Sequence, residues 1–322
     1  MKDVESLMFE SLFSENYFSD LDFFQNNKKQ LNYYLKIHQV EYLWSTLSYT
    51  VDEEFESIRS LSRMKWAKQT ALKLVVEELF LISEIDFEWI KGIQLAEEVY
   101  PDPLIRPMGD LDLLVSKKHW FKAIDVLVRT GFSRSETQWK NRLRLELSHP
   151  HWGLIDLHGE LYPGHRGSFR MNYPISGLED RLLYLFIHSC HQHALEKVIW
   201  INDFYYFLLK YQNQIDFDKF FLKVKENKLI SSVYFVLSIL KEQKGFIPSE
   251  EFENKIDKEV SFFKRNLLNF FKKDFFWMNS KFSGKIKRFF VRVILRDSIY
   301  DFFSYLINRE KIKFLSFFYR VP

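Results

Sequence analysis

Residues 106–115 read Arg-Pro-Met-Gly-Asp-Leu-Asp-Leu-Leu-Val, which sets Asp110 and Asp112 two apart at the mouth of an apolar run. That run predicts a strand, and residues i and i+2 of a strand share a face, so the two carboxylates should project together. At ~4 Å and an effective dielectric of about 20, their repulsion is on the order of 4 kcal/mol. A strongly raised pKa would relieve it. A divalent cation would relieve it better, and hard oxygen ligands suit Mg²⁺. The segment Gly-Leu-Ile-Asp-Leu-His-Gly-Glu-Leu supplies a third carboxylate, Asp156, between Ile155 and Leu157 on a predicted neighbouring strand. Three strand-borne carboxylates are able to hold two metals, the arrangement that clamps the attacking and leaving oxygens in phosphoryl transfer. The plain alternative is a set of surface acids at strand ends, each closing a turn; the third carboxylate and the preceding glycine turn weigh against it. His158 follows Asp156 by two and shares its strand face, as a neighbour of the carboxylates or a phosphate contact.

The elements that must position these residues are legible in outline. Residues 1 to about 80 space apolar residues by threes and fours, and no glycine or proline occurs before Gly92, so helices are expected there. Phe-Glu-Trp-Ile-Lys-Gly predicts a short strand ending at Gly92, followed by a short helix. Three prolines and a glycine in residues 101–109 exclude regular structure there. Residues 117–132 read as an amphipathic helix closed by Gly131. Residues 143–161 read as two strands joined by a turn around His149–Gly153. Residues 162–177 read as a loop, and from Glu179 onward helical spacing returns. The expected division is an N-terminal helical region at 1–84, an α/β core at 85–172 and a C-terminal helical region with a basic tail at 173–322. Strand and helix alternate inside the core, so a mixed sheet is expected and the fold class is α+β.

The bulk composition narrows the setting. One cysteine, Cys190, excludes an internal disulfide and a four-cysteine metal site, which fits a reducing, cytoplasmic environment. The acidic start has no signal-peptide pattern, and no apolar run approaches the ~18 residues of a transmembrane helix. Aromatics make up 18% of the chain, with 34 Phe, and read as a Phe-filled core. The net charge of +3 is too small to argue for nucleic acid, yet residues 261–322 hold 14 Lys/Arg against 4 Asp/Glu. That basic stretch reads as a solvated helix face, a cradle for an acidic or phosphorylated macromolecule, or a contact for an anionic membrane surface.

Taken together, Lys91-Gly92, the Tyr-Pro-Asp-Pro at 100–103, Arg106-Pro-Met-Gly-Asp-x-Asp-Leu-Leu-Val and Asp156-Leu-His158 resemble the uncharacterised nucleotidyltransferase family of the polymerase-beta-like superfamily. The match is close over about 80 residues and looser to about residue 210. The resemblance implies a small mixed-sheet nucleotidyltransferase core. It implies that Asp110 and Asp112 hold Mg²⁺ and that Asp156 completes the metal site and takes the proton of the attacking hydroxyl. It implies that Gly92 lets the backbone approach the phosphates ahead of a helix N-terminus. The Gly-Ser usual in the broader superfamily is Lys91-Gly92-Ile93 here, and the interval to Asp110 is longer. Lys91 and Arg106 are the cations placed to grip the triphosphate instead, with His158 as a further nucleotide contact.

The expected activity is Mg²⁺-dependent transfer of a nucleotidyl group from an NTP to an acceptor hydroxyl or phosphate, with a peptide or tRNA among the candidate acceptors. A second reading keeps the fold and changes the donor. Members of the resembled family occur beside peptide-modifying genes, so a nucleotide-sugar could serve to modify a phosphorylated peptide. A third is a non-catalytic partner-binding protein on a decayed core. His188, His191 and His193 lie on one predicted helix, His188 and His191 at i, i+3, without a further ligand to complete a zinc site. Trp200 and Asp203 follow in a pattern the resembled family shares, where Asp203 would orient a histidine or receive substrate. Cys190 reads as core.

Overall fold

The computed structural model describes residues 8, 26–47, 53–134, 143–161, 173–273, 283–298, 300 and 303. Most of the expected loop at 162–177 and of the basic tail beyond residue 273 lies outside them, as do long stretches of the first fifty residues.

The described chain is a mixed α/β structure with one five-stranded sheet. Its helices are α1 (Lys28–His38), α2 (Glu41–Leu47), α3 (Glu53–Ile82), α4 (Gly92–Glu98), α5 (Trp120–Arg129), α6 (Gly177–Phe186), α7 (Val198–Tyr211), α8 (Phe217–Glu226), α9 (Ile230–Lys244), α10 (Glu250–Glu259), α11 (Phe262–Lys273) and α12 (Ser283–Ile294). The strands are β1 (Phe87–Ile90), β2 (Leu111–Val115), β3 (Ser133–Arg134), β4 (Arg144–His149) and β5 (Gly153–His158). By packing, the described residues divide into a helical unit drawn from 1–59 and 177–302 and a sheet unit drawn from 60–176 and 303–322.

In the sheet unit the strand order is β1-β2-β5-β4-β3, with β2 and β5 parallel and the other pairs antiparallel. Alternation then decides which side each residue occupies. Leu111, Leu113 and Val115 of β2, Leu145 and Leu147 of β4, and Ile155 and Leu157 of β5 bury one face. Leu72, Val76 and Phe80 of α3 and Trp120, Ala123, Ile124 and Leu127 of α5 complete that core. The opposite face carries the polar residues among buried apolar neighbours such as Leu114, β2 being buried along its whole length. There Asp112 stands beside Asp156, which stands beside Glu146; one step along, Leu114 stands beside His158, which stands beside Arg144.

Helix α5 closes as its sequence predicts. Gly131, at φ 96°, follows the last turn, and the Phe132 N–H donates to the Leu127 carbonyl (3.1 Å). The proline-rich connection holds a single 3₁₀ turn at Pro103–Ile105, capped by Asp102, whose Oδ1 accepts the Leu104 N–H at 2.9 Å.

In the helical unit one expectation changes. The continuous helix expected from Glu179 onward is interrupted after α6 by a π-helical turn, Ile187–Gln192. Ala194 and Leu195 then take left-handed φ values of 54° and 52° before α7 begins. Inserting a π turn rotates later side chains off the 3.6-residue pattern. His188 accordingly lies beside His193 (ring centroids 4.7 Å apart) rather than over His191, and both His188 and His193 meet Trp200. His191 is turned toward Arg296. A histidine metal site there finds no support among the described residues.

Candidate active site

Strand pairing builds the site. Parallel pairing of β2 with β5 sets Asp112 directly opposite Asp156. Both are buried, as is His158, and their ligand atoms all lie within 4.8 Å of one another. His158 Nε2 is 3.3 Å from Asp112 Oδ1 and 3.2 Å from Asp156 Oδ2. Among the described residues this trio is the group of His, Cys, Asp and Glu side chains able to hold a metal ion.

Asp110 is placed differently from the expectation. β2 begins at Leu111, so Asp110 sits on the approach to the strand, partly exposed, and not within its pleat. It still feels the other carboxylates: burial and the charge of Asp112 push its carboxyl above the ordinary aspartate value. The deeper two go the other way. Burial alone would raise Asp112, but the charge of Lys91 and the contact with His158 outweigh it and hold the carboxyl below its ordinary value. For Asp156 burial is likewise outweighed, by His158, Lys91 and Arg144, and the carboxyl stays ionised throughout the neutral range.

Lys91 is buried, and its Nζ is ion-paired with Asp112 Oδ1. Its backbone is in the left-handed region, at φ 55° and ψ −121°, where a glycine would sit without strain. The ion pair is the visible compensation. Gly92 opens α4, and the structure supplies an intramolecular reason for it: a Cβ there would lie 2.8 Å from Met108 Cγ and 2.9 Å from Met108 Sδ. This packing requires a glycine independently of any approach of phosphate. Gly109 is the reverse case, exposed and with nothing within 4 Å of a Cβ built on it.

The motif loop and α4 are both tied to α3. Gln69 Nε2 of α3 donates to the Met108 carbonyl (2.7 Å). Lys73 bridges Glu77 of α3 (3.2 Å) and Glu97 of α4 (3.1 Å). Arg106 is buried and its Nη1 donates to the Pro107 carbonyl (2.9 Å), which folds the side chain back onto the loop.

Two residues of this face escape sequence reasoning. Arg144 opens β4, and its guanidinium grips Asp156, Nε reaching Oδ1 at 3.0 Å and Oδ2 at 3.1 Å while Nη2 bonds Oδ2. Glu146 is the residue across from Asp156 on β4. Both sit in an alternating strand whose facing was predictable; their partners depend on a hairpin register that composition does not disclose. In the helical unit Asp203 is buried on α7, and Cys190 is buried with its thiol pushed up by desolvation, a core residue as expected.

The donor set fits a divalent cation. Two adjacent carboxylates are hard oxygen donors suited to Mg²⁺, and the imidazole extends the set toward Mn²⁺ or Zn²⁺. In the structure Lys91 and Arg144 set positive charge against these carboxylates. No described helix is long and apolar enough to cross a membrane.

Comparison with known proteins places the chain in a family. A family described as "Uncharacterised nucleotidyltransferase" matches residues 35–243, well over half of the chain. Neither a curated protein nor a solved structure matches it. The matched span contains the whole sheet and every residue of the carboxylate cluster, and the chain belongs to the uncharacterised nucleotidyltransferase family as a nucleotidyltransferase-like enzyme.

Proposed function

We propose that the protein transfers a nucleotidyl group from an NTP to an acceptor hydroxyl or phosphate with Mg²⁺, at the face built by β2 and β5. The observation that carries this reading is the direct cross-strand pairing of Asp112 with Asp156 beside His158. Asp112 and Asp156 would hold the metal, with Asp110 joining from the strand approach. Bound there, Mg²⁺ would neutralise phosphate charge and fix the direction of displacement. Asp156 would take the proton of the attacking hydroxyl. Lys91, Arg106 and His158 would face the phosphates, and the open backbone at Gly109 leaves room for them to approach.

Turnover tests the reading directly. Purified protein is offered each NTP with Mg²⁺, and pyrophosphate release is followed with candidate hydroxyl and phosphate acceptors, tRNA and phosphopeptide among them. Replacing Asp156 by Asn should lower the rate by roughly 10²- to 10⁴-fold, the range for loss of a positioned acid–base group, without unfolding the sheet. Full turnover in Asp112→Asn and Asp156→Asn would sink the assignment. Preference for a nucleotide-sugar over plain NTPs would move it to group transfer from an activated sugar.

A further inference from the structure

Arg144 and Lys91 both neutralise the carboxylates, but they are mounted differently. The Lys91 side chain is 8% exposed, on a backbone held in a left-handed conformation. The Arg144 side chain is 43% exposed, while the Asp156 side chain beneath it is 4% exposed. Arg144 therefore reaches down from the rim onto a buried carboxylate. Its backbone is fixed: the neighbouring Leu143 carbonyl accepts the Gly159 N–H at 2.8 Å, and Arg144 pairs with His158 across the hairpin. Any movement of the guanidinium is consequently a side-chain rotation about a fixed strand.

The grip has a chemical consequence. Both oxygens of Asp156 receive hydrogen bonds from the guanidinium, and Oδ2 also lies 3.2 Å from His158 Nε2. A carboxylate so occupied offers poor lone-pair access to a metal, and the positive charge of the guanidinium repels an incoming cation. It is equally ill placed to take a proton. If Arg144 leaves, Asp156 retains His158 and the nearby charge of Lys91, so the buried carboxylate is not abandoned. A guanidinium fork matches a phosphate as well as it matches a carboxylate.

We propose that Arg144 is a two-position switch: on Asp156 it withholds that carboxylate from metal and proton, and on a phosphate of the donor nucleotide it releases the carboxylate to the site. This rests on the nucleotidyl-transfer reading and adds to it an order of events, in which nucleotide and metal enter together and metal alone binds weakly. Lys91 stays on the strand end throughout, because burial and backbone hold it there.

The test compares wild type with Arg144→Gln and Arg144→Lys. Mn²⁺ alone is titrated by electron paramagnetic resonance, then Mn²⁺ with the non-hydrolysable α,β-methylene analogue of each NTP. In Arg144→Gln the affinity for Mn²⁺ alone should rise by about fivefold or more, and affinity for the analogue should fall by at least as much. Thermal melting confirms that the variant is folded. A residue that only fastened the hairpin would lower the melting temperature and raise neither affinity. Unchanged or weaker binding of Mn²⁺ alone in folded Arg144→Gln overturns the switch, while wild-type binding of the metal–analogue pair leaves the transferase reading standing. If wild type binds neither Mn²⁺ nor any analogue, both fail. Should Arg144→Gln not fold, Arg144→Lys keeps the charge without the fork and must still weaken analogue binding; unchanged affinity there also overturns the switch.

Discussion

Two buried ionic clusters, one in each unit, show what distinguishes a site from a fastening. In the helical unit Arg296 is 1% exposed, and its Nη2 donates to the His191 carbonyl (3.1 Å) while Nη1 lies 3.3 Å from His191 Nδ1. The Arg296 carbonyl accepts from Lys264 Nζ (2.6 Å). Asp297 accepts the Ile230 N–H (2.9 Å) and the Ser231 N–H (2.6 Å), where α9 begins. Most of these contacts end on backbone, so the cluster joins helix ends and turns. In the sheet unit the contacts run between side chains, and the carboxylates Asp110, Asp112 and Asp156 face two cations, the buried Lys91 and the rim-mounted Arg144. His158 lies between the two buried carboxylates, 3.3 Å from Asp112 and 3.2 Å from Asp156. Burial of charge alone therefore marks neither a site nor a scaffold; converging carboxylate side chains under a half-exposed partner do.

The contrast makes Arg296 the largest expected stability effect. Arg296→Met should cost about 3 kcal/mol, because His191 and its carbonyl lose a buried donor and the space is incompletely refilled. Urea denaturation measures this, and metal-dependent nucleotide binding should survive at temperatures where the variant is folded. Loss of nucleotide binding by a fully folded Arg296→Met would break the distinction between the clusters.

Glu179 sharpens the same point at smaller scale. Burial alone would raise its carboxyl, but the Asp216 N–H (2.9 Å) and Lys219 Nζ (3.2 Å) outweigh that and hold it below the ordinary value of 4.5. A lowered folded-state pKa contributes stability that is present above the unfolded value and is lost as pH falls through the folded one. Wild type should thus exceed Glu179→Gln by about 1–3 kcal/mol at neutral pH. The gap should close as melts are repeated at pH values descending below 4.5. A gap constant with pH would mean that the charge contributes nothing.

The smallest effect concerns backbone strain in the sheet unit. Lys91→Ala removes the ion pair with Asp112 and keeps a non-glycine residue at φ 55°, whereas Lys91→Gly removes both. The glycine variant should be the more stable by about 1 kcal/mol in parallel denaturation curves. Equal stability would show that the left-handed conformation carries no strain.

How far the sequence revealed this site follows from which interactions are local. The β4–β5 hairpin, the strands at 87–90 and 111–115 and the common facing of Asp112, Asp156 and His158 follow from period-two alternation, which the residues display. The start of β2 one residue beyond Asp110 was not legible, because strand ends are set by pairing partners. Arg144 on Asp156 required the hairpin register. The π turn at Ile187–Gln192 and the left-handed Ala194 and Leu195 occur without glycine or proline to announce them. Arg296 and His191 are 105 residues apart, a distance over which no pattern in the chain pairs them.

The most direct measurement is calorimetric titration of each NTP, with and without Mg²⁺, into wild type, Asp112→Asn and Arg296→Met. The account predicts Mg²⁺-dependent binding of at least one NTP to wild type and to folded Arg296→Met, and its loss in Asp112→Asn. Equal Mg²⁺-dependent binding by wild type and Asp112→Asn would contradict the assignment of the β2–β5 carboxylates as the metal–nucleotide site.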